Sequence, residues 1–281
     1  MKFDVVIGNP PYNNDIYLDF VNLAMKLSNI TVCMITPTKH YFLNKPEYYS
    51  ELNKNMLKYT DRLIFYQCEG EVFNIFLPSG VGYYLIGKTK SDTMLVKNES
   101  NHFDSFKNDW EQININDGTF NIKALHIIKK VKPNGLNIES LNKNKNYRVY
   151  SRKHCYAQGG SSNESRGVFY YDNKFVPGFI TVSVITTSDN EEDIGTAKCI
   201  ASFDTIDELN SFVSYINTRL VRYLINARLS AYSNIFINEV WKLVPDPINF
   251  DHIFTDQELY KKYNLTPDEI EIIESVIKER K

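Results

Sequence analysis

Asn9, Pro10, Pro11 and Tyr12 directly follow a short apolar run, Phe3-Asp4-Val5-Val6-Ile7-Gly8. An amide side chain, a backbone carbonyl and an aromatic ring are thus brought together on one turn. Two consecutive prolines fix φ and donate nothing to a ladder, so a strand must end there. Pro10 also biases Asn9 towards an extended backbone, which aims the Asn9 side chain off the strand end. The amide oxygen of Asn9 and the carbonyl of Pro10 can accept both hydrogens of an exocyclic amine on a flat ring such as adenine. The nitrogen lone pair is then left for a methyl donor. Tyr12 can cover one face of that ring, as extruded bases are commonly held. The plainer alternative is a strand-ending turn with a surface tyrosine.

Asn-Pro-Pro-Tyr after the strand Asp-Val-Val-Ile-Gly resembles the catalytic motif of the N6-adenine DNA methyltransferases, in the arrangement that places recognition after catalysis (the gamma type). Such enzymes belong to restriction–modification systems. The resemblance implies that Asn9, Pro10, Pro11 and Tyr12 are catalytic. It also implies that Phe73, in Glu69-Gly70-Glu71-Val72-Phe73, stacks on the adenine face opposite Tyr12, with Phe76 as the competing residue.

The elements that must position this motif can be read from periodicity. Leu18, Phe20, Val21, Leu23, Ala24 and Leu27 recur at helical spacing between Ile16 and Leu27, with Asp15 near the start as a cap. Ile30 to Ile35 is nearly continuously apolar and predicts a strand buried on both faces, as in parallel sheets. A second helix is expected over Glu47 to Leu57, then strands at Arg62 to Tyr66 and Gly80 to Gly87. Strand, helix, strand, helix, strand, loop, strand argues for an α/β sheet ending in an antiparallel hairpin. The resemblance makes this the catalytic half of a Rossmann-like methyltransferase sheet.

That family also holds S-adenosylmethionine, on a Gly-rich turn and acidic residues that precede the Asn-Pro-Pro-Tyr strand. Only eight residues precede Asn9. Gly80-Val81-Gly82 lies inside an expected strand, and Gly159-Gly160-Ser161-Ser162 is followed by polar residues, so neither has the strand–turn–helix context of such a site. The cofactor half is expected to be absent from this chain. The chain is then either one part of a split enzyme or a truncated product.

Four segments are expected: 1–90 as the catalytic half, 91–146 as a linker with a helix, 147–247 as a mixed α+β target-recognition domain, and 248–281 as a helical tail. The linker helix, Ile122 to Val131, stops at Pro133-Asn134-Gly135. Beyond it, Tyr147 to Tyr150, Gly167 to Tyr171 and Gly178 to Val184 lean towards strand. Arg152, Lys153 and Arg166, interleaved with aromatics around a Gly-rich loop, are the candidate DNA contacts, against a solvated loop as the alternative. Thr205 or Asp204 caps a helix expected to run to about Arg228, where Arg219, Arg222 and Arg228 would complement its dipole. Asp-Thr-x-x-Glu-Leu from Asp204 and Trp241-Lys242-Leu243-Val244-Pro245 resemble the recognition region of adenine methyltransferases fused to, or partnered with, restriction endonucleases. In the tail, Thr266 caps a last helix with Pro267 at its first position and Glu269 at its third.

The 281 residues suffice for one large domain or two modest ones. A net charge of −2 gives no global basic signature, so any nucleic-acid contact must come from a local face. Cys33, Cys68, Cys155 and Cys199 have neither zinc-ligand spacing nor a disulfide framework, and His154 beside Cys155 is too little for a metal. No apolar run approaches a membrane span, so a cytoplasmic location is expected. The expected activity is methyl transfer from S-adenosylmethionine to a flipped adenine in double-stranded DNA, with the chain inactive without a cofactor-binding half. The expected partners are double-stranded DNA and a separate cofactor-binding subunit or a restriction subunit. A non-catalytic DNA-binding specificity module is the alternative, and methylation of protein or RNA a third reading.

Overall fold

The computed structural model describes residues 2–13, 16–38, 56–66, 81–98, 110–115, 122–141, 143, 145, 147–152, 169–171, 174–176, 182–186, 197–229 and 241–277. The chain divides into two compact units, Met1–Leu125 and His126–Lys281.

The first unit is built on a mixed six-stranded sheet in the order β1-β2-β4-β3-β5-β6. Its strands are β1 (Phe3–Gly8), β2 (Ser28–Pro37), β3 (Thr60–Tyr66), β4 (Val81–Ile86), β5 (Thr93–Asn98) and β6 (Glu111–Asn114). Helix α1 (Tyr17–Leu27) connects β1 to β2, which run parallel, as the helical spacing predicts. β4 lies antiparallel between β2 and β3, so the expected hairpin return is present. The expected helix over Glu47 to Leu57 lies mostly outside the described residues; Met56 to Tyr59 are helical.

Residues paired in register share a face of the sheet. One face carries Val32, Met34, Leu63, Phe65, Tyr84, Ile86, Met94, Val96 and Ile113, all buried. The other carries Cys33, Ile35, Ile64, Tyr83, Leu85 and Leu95, all only half-buried. The expectation that β2 is buried on both faces is therefore corrected: it alternates, with every second side chain left partly open. A continuous apolar run reports β-branched composition, not what covers each face. The segment 91–146, expected as a linker, contributes β5 and β6 to this sheet, and the boundary between units falls within the next helix. Polar, turn-rich sequence on both sides of them hid these strands.

The second unit begins in α2 (Ile122–Val131), which ends where the prolyl-glycyl stop predicts; Lys132 and Gly135 there have φ of 47° and 79°. A turn of helix, α3 (Ile138–Leu141), follows. A three-stranded antiparallel sheet, β10-β7-β11, joins β7 (Tyr147–Arg152), β10 (Val182–Thr186) and β11 (Ala197–Phe203), and β8 (Phe169–Tyr171) pairs with β9 (Lys174–Val176).

Thr205 caps α4 (Ile206–Asn217) in a reciprocal capping box with Glu208. Contrary to the expected single helix, the chain breaks at Thr218, whose ψ of 148° leaves the helical region, and α5 (Arg219–Leu229) starts anew. The break moves Arg219 and Arg222 from a last turn into a first turn, where cations oppose the dipole. Acidic partners hold Arg219 instead. Its guanidinium meets Glu274 at 2.6 Å and Asp256 at 3.6 Å, and its backbone N–H donates to Asp256 at 2.5 Å. Burial pushes the Asp256 carboxyl above its usual range, against the pull of Arg219.

Packing on α4 is aromatic. Phe203, Phe212, Tyr215, Phe250 and Phe254 form a cluster, with Phe212 and Phe250 rings 5.3 Å apart and Tyr215 and Phe254 rings 4.9 Å apart. Such tilted pairs add to the area they bury. The Tyr215 hydroxyl donates to the Pro245 carbonyl, and burial raises its pKa. The tail forms α6 (Asp256–Lys262) and α7 (Pro267–Val276). Thr266, Pro267 and Glu269 make the predicted N-terminus, and Lys130 of α2 reaches Glu269 at 2.7 Å.

His252, exposed beside this cluster, lies 2.7 Å from Asp251 through Nδ1 and 2.8 Å from Glu258 through Nε2. Hydrogen bonds to Asp251 first, then Glu258, raise its pKa above the ordinary 6.5. A raised folded-state pKa adds stability that is complete below the unfolded value and lost as pH rises through the folded one. Melting temperature is therefore expected to fall as pH rises above 6.5, and His252→Gln to remove that part of the slope. High salt should shrink the effect at so exposed a position.

Candidate functional site

Asn9 stands at the carboxyl end of β1, one residue past Gly8. That glycine lets β1 approach β2 closely, because a Cβ there would lie 2.9 Å from the Met34 sulfur. Pro10 is buried and anchors the turn, whereas Asn9 and Pro11 are exposed and Tyr12 is half-buried. The amide is therefore presented outward from a base that cannot slide.

The Tyr12 hydroxyl donates to the Asn9 amide oxygen at 2.8 Å, and a longer 3.5 Å contact reaches the Ile35 carbonyl near the end of β2. The Tyr12 ring meets Tyr17 edge-to-face, with centroids 6.3 Å apart and planes at 82°. Tyr17 is fully buried in the first turn of α1, so the helix fixes the ring that fixes the amide. The Asn9 oxygen has two lone pairs, and one remains for a donor from outside after Tyr12 takes the other. A phenol hydrogen bond here also polarises the amide and limits its rotation.

Burial, and then the neighbouring Tyr83, push the Tyr12 phenol above its usual pKa, so it stays protonated and able to donate. Tyr83 in turn packs on Tyr66 at 5.8 Å between centroids. Beneath them the Thr36 and Tyr84 hydroxyls pair in the buried face. The carboxyl ends of β1, β2 and β3 thus share a tyrosine-rich rim. Motif and spacing single out Tyr12 there, but neither Tyr17 nor Tyr83. Alternation along Val81 to Ile86 does place Tyr83 opposite Tyr84, yet which face is open depends on pairing with β2 and β3.

Other candidates are not brought to this rim by any described contact. Phe73 and its competitor Phe76 lie outside the described residues, as do Lys153 and Arg166; for Arg152 the backbone alone is described, at the end of β7. Gly82 sits inside β4, as the expected strand over Gly80 to Gly87 places it, and an added Cβ there would come within 2.6 Å of Leu63. The described residues contain no group of three or more His, Cys, Asp or Glu able to hold a metal. No helix among them is long and apolar enough to cross a membrane.

No protein-family model matches the chain, and no curated protein matches it at a significant level.

The clamp can be tested by itself. Tyr12→Phe keeps the ring and deletes one hydrogen bond, whose net value is about 0.5–1.5 kcal/mol. Folding should be nearly unchanged, because the lost partner, Asn9, is exposed and can bond to water. Nuclear magnetic resonance of the Asn9 side-chain amide should show greater mobility in Tyr12→Phe than in the parent chain.

Proposed function

We propose that this chain is the catalytic-loop and DNA-recognition portion of a site-specific adenine-N6 DNA methyltransferase of a restriction–modification system. The observation that carries the reading is the Asn9 amide, held by Tyr12 at the carboxyl end of a parallel β1-α1-β2 unit. Ligands of open α/β sheets bind outside such strand ends. A mixed sheet in which β4 returns antiparallel between β2 and β3 is compatible with the α/β catalytic half that the resemblance of Asn-Pro-Pro-Tyr implies.

In this reading the Asn9 oxygen and the Pro10 carbonyl accept the two hydrogens of the adenine amine. Their pull keeps the nitrogen lone pair out of conjugation with the ring and directed at the methyl donor. Tyr12 orients Asn9 and presents its ring to one side of the base, and Phe73 covers the other. Arg152, Lys153 and Arg166 contact the phosphates of double-stranded DNA. S-adenosylmethionine is the methyl source that the resemblance implies. Among the described residues no strand, glycine turn and helix follow one another to hold it, and in this reading a separate cofactor-binding half supplies the pocket.

A methylation assay with labelled S-adenosylmethionine and double-stranded DNA tests this. The isolated chain should neither methylate DNA nor bind the cofactor at micromolar concentration by calorimetry. Joined to a cofactor-binding half, it should label adenine N6. Sequence-selective DNA binding with no labelling in the joined assembly would instead favour a non-catalytic specificity module.

A further inference from the structure

The two edges of the six-stranded sheet are unlike. At one, β6 reads Glu111-Gln112-Ile113-Asn114, a short polar strand of the kind that tolerates water. At the other, β1 carries Phe3, Val5, Val6 and Ile7 with Asp4 as its one charge, and no strand among the described residues pairs with its outer side. Phe3, Val5 and Ile7 project from one face and are 47 %, 49 % and 77 % exposed. Helix α1 packs its buried Tyr17, Val21 and Ala24 against the opposite face, and its own Phe20 and Leu23 remain exposed. An edge strand that is apolar on an uncovered face, with free backbone donors and acceptors, has the composition of an interior strand.

We infer that β1 is the docking edge for a second, different polypeptide. That partner adds a strand parallel to β1 and lays the following helix over Phe3, Val5 and Ile7. The backbone edge specifies a strand. Its direction rests on the proposed reading of Asn9 as a ligand clamp. A binding crevice opens outside the carboxyl ends of two adjacent parallel strands whose connections leave to opposite faces. With α1 on one face, the added connection must take the other, which is the face left bare. The Asn9 site is thereby completed on its open side.

A second copy of this chain does not meet these requirements. Two copies of β1 hydrogen-bonded across a twofold axis run antiparallel, and the second α1 returns to the same face as the first. Phe3, Val5 and Ile7 would stay uncovered. The partner that meets the requirements is a distinct α/β polypeptide, and in the proposed reading it brings the cofactor pocket.

The full chain should be mixed with the polypeptide encoded by the reading frame immediately upstream, and followed by sedimentation and hydrogen exchange. The expected result is a one-to-one complex in which the amides of β1 gain protection, and which Val5→Lys weakens about tenfold or more. Val5 is half-exposed, so circular dichroism should show that the variant folds. No complex, a complex indifferent to Val5→Lys, or a homodimer that Val5→Lys dissociates would each overturn the inference. The two proposals fail separately. A β1-dependent complex that binds S-adenosylmethionine but never methylates adenine sinks the enzymatic reading alone, and a complex that methylates adenine but is indifferent to Val5→Lys sinks the docking edge alone.

Discussion

Asn9→Ala is expected to lower the methylation rate of a joined, active assembly by about 100- to 1,000-fold, the usual cost of deleting one preorganised polar group that acts in the transition state. The substitution removes the amide acceptor at the end of β1, which is also the atom on which Tyr12 is anchored. Little else depends on it. Asn9 is exposed, and the buried Pro10 that follows still fixes the turn. The melting temperature should therefore stay within experimental scatter of the parent, and DNA affinity should be unchanged, since phosphate contacts carry most of it. Single-turnover kinetics with saturating DNA separate these effects. Asn9→Asp sharpens the result: it keeps an acceptor but adds charge, so activity should remain depressed and become dependent on pH as the carboxyl titrates. Full activity in Asn9→Ala would end the clamp assignment and leave the turn as a structural feature.

The largest effect on stability is expected at Trp241. Its ring is completely buried, the largest such side chain among the described residues. Its backbone also matters: the Trp241 carbonyl accepts from Val244 at 2.9 Å and from Leu136 at 3.2 Å, tying the 241–245 segment to the chain just after α2. Trp241→Ala leaves those backbone bonds in place and opens a cavity, at a cost of about 3–5 kcal/mol. That is a large share of the roughly 5–15 kcal/mol by which domains are stable. Urea unfolding should show a lower midpoint with little change in slope, and the midpoint should recover partly in Trp241→Phe, which refills some of the volume. Because Trp241 belongs to the second unit, the β1–β6 sheet should keep its hydrogen-exchange protection near neutral conditions.

Local signals were the most legible. Thr205 with Glu208, and Thr266 with Pro267 and Glu269, form the caps their spacing predicts, since a cap is a contact among residues three apart. The α2 stop and the end of β1 at Pro10 and Pro11 are equally local, because proline and glycine act on their own dihedrals. Where a non-local partner decides, the reading departed from the structure. The α4–α5 break at Thr218 interrupts an unbroken apolar periodicity, and Arg219 finds its partners 37 and 55 residues later, at Asp256 and Glu274. β5 is as long as β1 but lies between polar turns, and β6 is shorter still; both acquire strand character through pairing, β5 with β3 and the two with each other.

For Asn9 to Tyr12, sequence alone determined the chemistry on offer: an amide, a carbonyl and a ring on a turn that two prolines hold stiff. Tertiary structure decided what surrounds it. Packing on α1 turned Tyr12 into the donor that orients Asn9, and the pairing of β2 with β4 brought Tyr83 to the same rim. Sheet order alone made β1 an edge with Phe3, Val5 and Ile7 in the open. The physical reason is that a side chain's identity belongs to its codon, whereas its burial belongs to whatever the fold sets against it.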